Sequence, residues 1–380
     1  MSTTQKPIYF DFAAATPIAP VVLSAMEPYF AELFYNPSAI YLSSKSVRSA
    51  LEEARSCVAR LVGARSGEIV FTAGATEANN LAIQGIVSAD PNSKVVLSSI
   101  EHDSVMHAVP EDRRIVIPVD TKGRVVLDEL SSSLKDPAVV LVSIMYANNE
   151  IGTVQDLRAV RECIDNANQD REVKVLLHTD AAQAPNYLDI HATRLGVDLM
   201  TLSAAKIYGP KQVGCLYVRA GIRLKPLING GGQEFGIRSG TENVAGVIGF
   251  AKALEGALDK RHSESDRLKA IRERAVDEIA AIPGISLNGH QKHILPNNIN
   301  LCLPSLDGET AVMMLDEWGV QAATGSACGA SKDGPSHVLT ALGLSVDEAE
   351  RSLRITFGRS TTQDQVDYLI TLLRKLANHG

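Results

Sequence analysis

Residues 197–214 of this 380-residue chain read VDLMTLSAAKIYGPKQVG. The apolar run from Val197 to Leu202 is typical of a strand that is covered on both faces, and Lys206 follows it just before a Tyr-Gly-Pro turn. A lysine in that place is most simply the first solvated residue after a strand. Whether Lys206 has a chemical role depends on the residues that accompany it elsewhere in the chain.

Strand-like runs alternate with amphipathic segments through the first two-thirds of the chain. In VQDLRAVRECIDNA, for example, Leu157, Val160 and Ile164 share one helical stripe. This alternation predicts an α/β fold with a mainly parallel sheet flanked by helices. The candidate strands are residues 94–99, 138–146, 173–180, 197–203 and 213–219.

The last third of the chain has a different pattern. A long helical stretch, roughly 244–282, ends at Pro283, and short strands in NNINLCL and SLRITFG then mix with helices. This pattern predicts a smaller α+β domain. We expect a large domain over residues 17–257 and a small one built from residues 1–16 and 258–380.

Charge and cysteine usage exclude some classes of protein. A net charge of −7 with mixed signs argues against direct binding of nucleic acid. No apolar stretch approaches the ~20 residues that cross a bilayer, so we expect no membrane partner. The five cysteines are scattered, with neither paired metal-ligand spacing nor a disulfide framework, and we predict no metal site and a cytoplasmic location.

Polar residues follow several of the predicted strands. Asp180 and Gln183 come after VKVLLHT, Asn149 follows VSIMYAN, and His102 follows KVVLSSIE. Because ligands collect at the carboxyl ends of strands in open α/β sheets, these side chains and Lys206 predict a common site.

The stretch FTAGATEANN, residues 71–80, adds a possible anion site. Small residues, Gly74 to Thr76, precede a predicted helix, where backbone N–H groups and the helix dipole can approach a phosphate. An ordinary helix N-cap explains the same residues, so the motif alone is weak evidence for a phosphate site.

Together these signals match the requirements of pyridoxal 5'-phosphate (PLP). That cofactor needs a lysine for a Schiff base, a carboxylate for its pyridine nitrogen and a phosphate cradle. The chain supplies these three groups as Lys206, Asp180 and residues 74–76. The rival lysine, Lys211, lies beyond the turn and is the weaker candidate.

The whole chain resembles the cysteine desulfurases of the NifS/IscS type, which are fold-type I, class V PLP-dependent transferases. The resemblance implies conversion of L-cysteine to L-alanine by a homodimer. It depends on an ordered set of motifs: YFDFAAATP, FTAGATEANNLAIQG, EH, VSIMYANNEIGTVQ, HTDAAQ, KIYGPK, GGGQE, RSGTEN, TGSAC and LRITFGR.

The resemblance implies roles for the residues at the strand ends. Lys206 would form the Schiff base and move the Cα proton of the substrate. Asp180 would pair with the ring nitrogen, and His102 would stack on the ring and handle protons on sulfur, although a capping or core histidine is the plain alternative. Gln183 and Asn149 would bind the ring hydroxyl or the substrate.

Further residues are assigned to the phosphate by the same resemblance. Ala75 through its N–H, Thr76 and Ser203 would bind it within one subunit. Thr241, in GIRSGTEN, would join them from the partner subunit, which implies an obligate homodimer.

Two more residues would act on the substrate itself. Arg354 would bind the carboxylate of cysteine, because a planar guanidinium matches two carboxylate oxygens better than the ammonium group of a lysine does. The alternative is that Arg354 is an outward-facing surface arginine. Cys328, in a stretch whose composition predicts a loop, would accept the sulfur as a persulfide. The other cysteines are expected to be packing residues: Cys57, Cys163, Cys215 and Cys302.

The resemblance to long-loop members predicts a sulfur-acceptor protein, either an iron–sulfur scaffold or a relay for tRNA thiolation. Ala205 stands where the family usually has a histidine, which predicts weaker cofactor retention. Phe235 stands where the family usually has a positively charged side chain. One alternative is a class V enzyme with another substrate, such as a selenocysteine lyase or an aminotransferase. The other belongs to a different class and is a degenerate PLP fold that serves as a non-catalytic partner.

Overall fold

The computed structural model describes residues 6–324 and 334–378. Its strands, in chain order, are β1 (Ile8–Tyr9), β2 (Ile69–Thr72), β3 (Lys94–Ser98), β4 (Arg114–Ile117), β5 (Val139–Ser143), β6 (Leu176–Asp180), β7 (Leu199–Ser203), β8 (Gly214–Val218), β9 (Ser286–Leu287), β10 (Asn298–Cys302), β11 (Val320–Gln321), β12 (Ala323–Thr324) and β13 (Ser352–Thr356).

The α-helices surround these strands. They are α1 (Pro20–Met26), α2 (Pro28–Ala31), α3 (Leu42–Val62), α4 (Ala75–Val87), α5 (Asp103–Met106), α6 (Leu127–Ser133), α7 (Leu157–Asn168), α8 (Ala192–Leu195), α9 (Val244–Ala280), α10 (Gly308–Glu317), α11 (His337–Ala341), α12 (Val346–Glu350) and α13 (Gln363–Ala377). None of the helices in the described ranges is long and apolar enough to span a bilayer.

A seven-stranded sheet forms the centre of the larger part of the molecule, in the order β2-β8-β7-β6-β5-β3-β4. Neighbours from β7 to β4 run parallel. Apart from the edge strand β4, the residues of these strands are mostly buried because helices cover both faces. The predicted α/β fold with a mainly parallel sheet is confirmed, and each candidate strand is present with slightly shorter bounds.

One edge of this sheet differs from the sequence prediction. Strand β8 runs antiparallel to β7, and β2 pairs antiparallel with β8. The sequence did not indicate β2 or β4, because each has only four residues and β4 is a half-exposed edge strand that begins with Arg114. Apolar runs identify strands but do not set their direction.

A second, four-stranded antiparallel sheet has the order β12-β13-β10-β9, and β1 pairs with β11 beside it. Its core joins Phe10 to residues between Leu268 and Leu376, separately from the core of the large sheet. Helix α9 connects the two cores, since its residues up to Ala257 pack on the first and those from Leu268 on the second. These contacts support the division after residues 16 and 257, which we propose as the domain boundary.

Candidate active site

A cavity of about 1170 Å³ lies at the carboxyl ends of the parallel strands. That volume is enough for a cofactor together with a small substrate. Most of the predicted site residues line it: Ala75, Thr76, His102, Asn149, Asp180, Gln183, Ser203, Lys206 and Arg354. The structure therefore brings together residues that are up to 279 positions apart in the chain, from 75 to 354.

Lys206 reaches this cavity because β7 ends at Ser203 and a single 3₁₀ turn follows. Its Nζ donates hydrogen bonds to the carbonyl oxygens of Ala13, at 2.9 Å, and Ala14, at 2.5 Å. Lys206 is thus held by the N-terminal segment, and the interpretation of it as a merely solvated lysine is wrong. Lys211 also lines the cavity, with its Nζ 3.3 Å from the carbonyl oxygen of Thr16.

Asp180 is the buried last residue of β6. Its Oδ1 accepts the backbone N–H of Ala182 at 2.9 Å, and its Oδ2 accepts the side-chain amide of Asn79 at 2.7 Å. Two donors therefore fix the orientation of the carboxylate. Asn79 was not predicted as a site residue. Its complete burial within α4, which only the structure shows, is the feature that points to it.

His102 precedes α5 and caps it, which was the plain alternative for this residue. Its Nδ1 accepts the backbone N–H of Ser104 at 3.0 Å and lies 2.8 Å from the Ser104 hydroxyl. In the neutral ring the proton is therefore assigned to Nε2. The Ser104 hydroxyl also accepts from Asn79 at 2.8 Å, so a continuous chain of hydrogen bonds joins His102 to Asp180.

The segment predicted to bind phosphate lies where β8 meets the start of α4. Gly74, with a φ of 136°, has no side chain to cap this 13-residue helix, and Ala75 and Thr76 line the cavity. A Cβ at Gly214 would lie 2.6 Å from the carbonyl oxygen of Leu202 and 2.8 Å from the carbonyl carbon of Gly74. Glycine is required for this close approach, and an uncapped helix N-terminus is suited to an anion.

Glu77 lies in the first turn of α4, beside this cradle. Its Oε2 accepts the backbone N–H of Ala73 at 2.7 Å, and Arg238 forms an ion pair with its Oε1 at 2.8 Å. The arginine therefore offsets a negative charge that would otherwise face an incoming anion. Neither residue was predicted from the sequence to have a role.

Arg354 is almost fully buried on β13, with only 2% of its side chain exposed. Its Nη2 forms an ion pair with Asp11 Oδ1 at 2.7 Å, and its Nη1 donates to the carbonyl oxygen of Asn149 at 3.3 Å. The alternative of an outward-facing surface arginine is therefore wrong. Asp11 was present in a quoted motif but was not recognised as a partner.

Two buried carboxyl groups on the cavity wall lie in quoted motifs, but no role was predicted for them. Glu101 Oε1 accepts the Met145 N–H at 2.9 Å and lies 2.5 Å from the Ser98 hydroxyl, and burial raises the pKa of Glu101 to about 8. Burial likewise raises the pKa of Glu150, whose Oε2 accepts the Ser336 hydroxyl at 2.6 Å. The protonated form of Glu101 is therefore favoured at neutral pH.

Other predicted residues are placed differently. Thr241 is exposed and is not among the residues that line the cavity. Cys328 lies outside the described residues. Ala205 lines the cavity, and Phe235 is 57% exposed, with the Arg55 guanidinium 5.1 Å from its ring centroid. Nothing in the structure explains the presence of Phe235.

Gln183 and Asn149 contact other residues of the site. The side-chain amide of Gln183 donates to the carbonyl oxygen of Ala13 at 3.0 Å, and the carbonyl oxygen of Asn149 accepts from Arg354. Both residues line the cavity. Their roles remain predictions.

Known proteins share this architecture and much of the sequence. The family profile described as aminotransferase class-V matches residues 8–369. A cysteine desulfurase, IscS 1, from Archaeoglobus fulgidus is 41% identical over 372 residues, which cover 96% of this chain and 95% of that protein.

Two solved structures extend the likeness to three dimensions. A NifS-like protein superposes with a TM-score of 0.90 at 31% identity, over 98% of this chain and 99% of the other. SspA in complex with cysteine has a TM-score of 0.79 at 33% identity, over 92% and 98% of the two chains. These similarities cover both sheets described above.

Proposed function

Since the chain belongs to the class-V aminotransferase family, whose members depend on PLP, we propose that it is a cysteine desulfurase that converts L-cysteine to L-alanine. One observation carries the proposal: a lysine, a fixed carboxylate, an uncapped helix N-terminus and a buried arginine line a single cavity. The cysteine desulfurases among the relatives and the structure of SspA in complex with cysteine support the choice of substrate.

The residues of the cavity fit the cofactor. Lys206 would hold the aldehyde carbon, Asp180 the pyridine nitrogen, and the start of α4 with Ser203 the phosphate. The cofactor, when bound, supplies an electron sink that stabilises negative charge at the substrate Cα. The methyl group of Ala205 adds no hydrogen-bond donor to the phosphate side of this cavity.

The other steps use groups that the chain itself provides. Arg354 would bind the α-carboxylate and orient the amino acid, and the Lys206 amine would take the proton from Cα. His102, whose Nδ1 accepts from the Ser104 N–H, would exchange a proton with the substrate sulfur through Nε2.

Sulfur transfer is proposed to use Cys328, which lies outside the described residues. Its thiolate would attack the substrate sulfur, an S–S bond would form, and the Cβ–S bond would break with its electron pair left on the carbon side. The resulting persulfide would be passed to an acceptor protein, such as an iron–sulfur scaffold or a tRNA-thiolation relay. The cytoplasmic location also remains a prediction.

We expect the active enzyme to be a homodimer in which Thr241 reaches the phosphate site of the partner. Thr241 is exposed in the single chain. Large apolar side chains are also exposed on the segments around α1 to α3 and before the GIRSGTEN motif, as an interface would require. These side chains are Phe30, Phe34, Ile40, Leu42, Leu227 and Ile228.

The test is an assay of the purified protein with PLP, L-cysteine and a thiol reductant. We expect sulfide and alanine in equal amounts, and we expect both products to be lost in the Lys206→Ala variant and persulfide turnover to be lost in Cys328→Ala. Lys211→Ala and Cys57→Ala are matched controls that should retain turnover. Borohydride reduction should fix pyridoxal on Lys206.

Several results would contradict the proposal. Pyridoxal fixed on Lys211 would show that the wrong lysine was assigned. Turnover of selenocysteine with little turnover of cysteine would favour a lyase, and a protein that takes up PLP but releases neither product would favour a non-catalytic fold.

A further inference from the structure

The guanidinium of Arg354 is anchored unequally. Its Nη2 makes a short ion pair with Asp11, whereas its Nη1 reaches the Asn149 carbonyl only at 3.3 Å. Its Nε has no hydrogen-bond partner among the residues that the structure describes. Asp11 is thus the strong anchor of this arginine, and the guanidinium still has a donor to offer.

The position of Asp11 is itself well determined. Its carbonyl oxygen accepts the Tyr9 hydroxyl at 2.8 Å, and its backbone forms a bridge with Thr356 at the end of the strand that carries Arg354. Two residues later, the backbone N–H of Ala13 donates to the Thr356 hydroxyl at 3.0 Å. The carboxylate and the guanidinium therefore lie on two segments that are bonded to each other.

The same segment also contacts the lysine of the site. The carbonyl oxygens of Ala13 and Ala14 accept hydrogen bonds from Lys206 Nζ. Residues 11–14 thereby connect the group expected to bind the substrate carboxylate to the group expected to act on its Cα. A ligand with both an amine and a carboxylate needs the two groups at a set distance.

We propose that Asp11 is a positioning residue: it holds Arg354 through Nη2 so that the remaining guanidinium donors meet the carboxylate of an amino-acid substrate. The inference rests on the proposed function, because it assigns the substrate carboxylate to Arg354. A guanidinium that is held on one side loses less freedom when a second carboxylate binds, which favours bidentate recognition.

Glu150 is the other carboxyl group near Arg354, and it is a poorer candidate. Its Oε2 already accepts the Ser336 hydroxyl, and burial raises its pKa, so it is less able to supply a full negative charge. The side chain of Asp11 is 17% exposed and makes the direct contact with the guanidinium.

The test compares two ligands of the holoenzyme that differ only in the carboxylate. L-Alanine and L-alaninamide are titrated by calorimetry into the wild type and into the Asp11→Asn and Asp11→Glu variants. We expect Asp11→Asn to weaken L-alanine binding about tenfold while L-alaninamide changes less than about twofold, since only the former uses Arg354. Asp11→Glu should restore part of the loss.

A matched control removes an ion pair far from the site. Asp136 forms an ion pair with Lys94 at 2.9 Å, at the amino ends of strands β3 and β5, whereas the site lies at their carboxyl ends. Asp136→Asn should therefore leave binding of both ligands unchanged. In the desulfurase assay, Asp11→Asn should raise the KM for L-cysteine with kcat changed less than about threefold.

Other outcomes overturn the proposal. Unchanged or tighter L-alanine binding in Asp11→Asn would show that Asp11 merely competes for Arg354, and equal losses for both ligands would show a general structural role. Absence of L-alanine binding to the wild type also overturns it. The proposed function is judged separately, by sulfide release from L-cysteine in the wild type.

Discussion

The side-chain amide of Asn79 lies 2.7 Å from Asp180 Oδ2 and 2.8 Å from the Ser104 hydroxyl. Asn79 is fully buried in α4, so a residue of the phosphate-side helix orients the carboxylate assigned to the cofactor ring. Through Ser104 the same amide is connected to His102. Three parts of the site therefore depend on one side chain.

Replacing Asn79 by alanine should weaken both the cofactor site and the fold. The Asp180 carboxylate would lose a buried donor, which we expect to destabilise the protein by about 1–3 kcal/mol and to speed PLP loss on dialysis. Asn288→Ala is a suitable control, because Asn288 donates to Asn300 at 2.8 Å in the small sheet. It should lower stability without changing PLP retention, and equal PLP loss in both variants would contradict the assignment.

Replacing Ala205 by histidine should improve cofactor retention. Ala205 lines the cavity and supplies only a methyl group, whereas an imidazole could add a charge-assisted hydrogen bond to the phosphate. We expect the PLP dissociation constant to fall by roughly tenfold, measured by absorbance during equilibrium dialysis. A wild type that binds PLP at least as tightly as Ala205→His would refute this prediction.

Replacing Gly214 by alanine should disturb the phosphate cradle. The added Cβ would lie 2.8 Å from the carbonyl carbon of Gly74, which must then move away from β8. We expect a loss of about 1–3 kcal/mol in the free energy of unfolding, together with weaker PLP binding.

Gly256→Ala is the matched control for Gly214→Ala. Gly256 lies within α9, and a Cβ there would have no neighbour within 4 Å. Alanine should therefore be neutral or stabilise the helix by up to about 1 kcal/mol, with PLP binding unchanged. If the two variants had the same unfolding midpoint in urea, the close approach at Gly214 would have no energetic importance.

The stability of the protein should depend on pH through Glu101. Its pKa is raised from 4.5 to about 8 in the fold, so the folded chain holds a proton more tightly than the unfolded chain. The stabilising contribution is complete below about pH 4.5 and is lost as the pH rises towards 8, by up to about 1.4 kcal/mol per pH unit.

Glu101→Gln should remove this dependence. Urea unfolding of the wild type and the variant at pH 5.5, 6.5 and 7.5 would measure it. The stability difference should shift in favour of the variant as the pH rises, because glutamine stays neutral. A difference that is constant across this range would show that Glu101 is ionised in the fold throughout.

Much of the α/β sheet could be predicted from the sequence because its strands are covered on both faces. Such strands are mainly apolar, so β3, β5, β6, β7 and β8 are visible in the sequence as largely apolar runs. A strand as short as β4, with four residues, gives an apolar run too brief to identify as a strand from the sequence.

The site could be predicted in part for a related reason. Polar residues directly after buried strands are conspicuous in a sequence, and Asp180 and Lys206 were recognised in this way and by the order of the motifs. Asn79 and Asp11 were not, because their partners lie 101 and 343 residues away along the chain.

The sequence by itself determined the fold class, the family and the residues most suited to cofactor chemistry, since these depend on local composition and on ordered motifs. Only the tertiary structure decided which groups hold those residues in place: Asp11 on Arg354, Asn79 on Asp180, and the Ala13 and Ala14 carbonyls on Lys206. The physical reason is that hydrogen bonds and ion pairs depend on distance in space, and folding brings together groups whose separation along the chain carries no information about their contact.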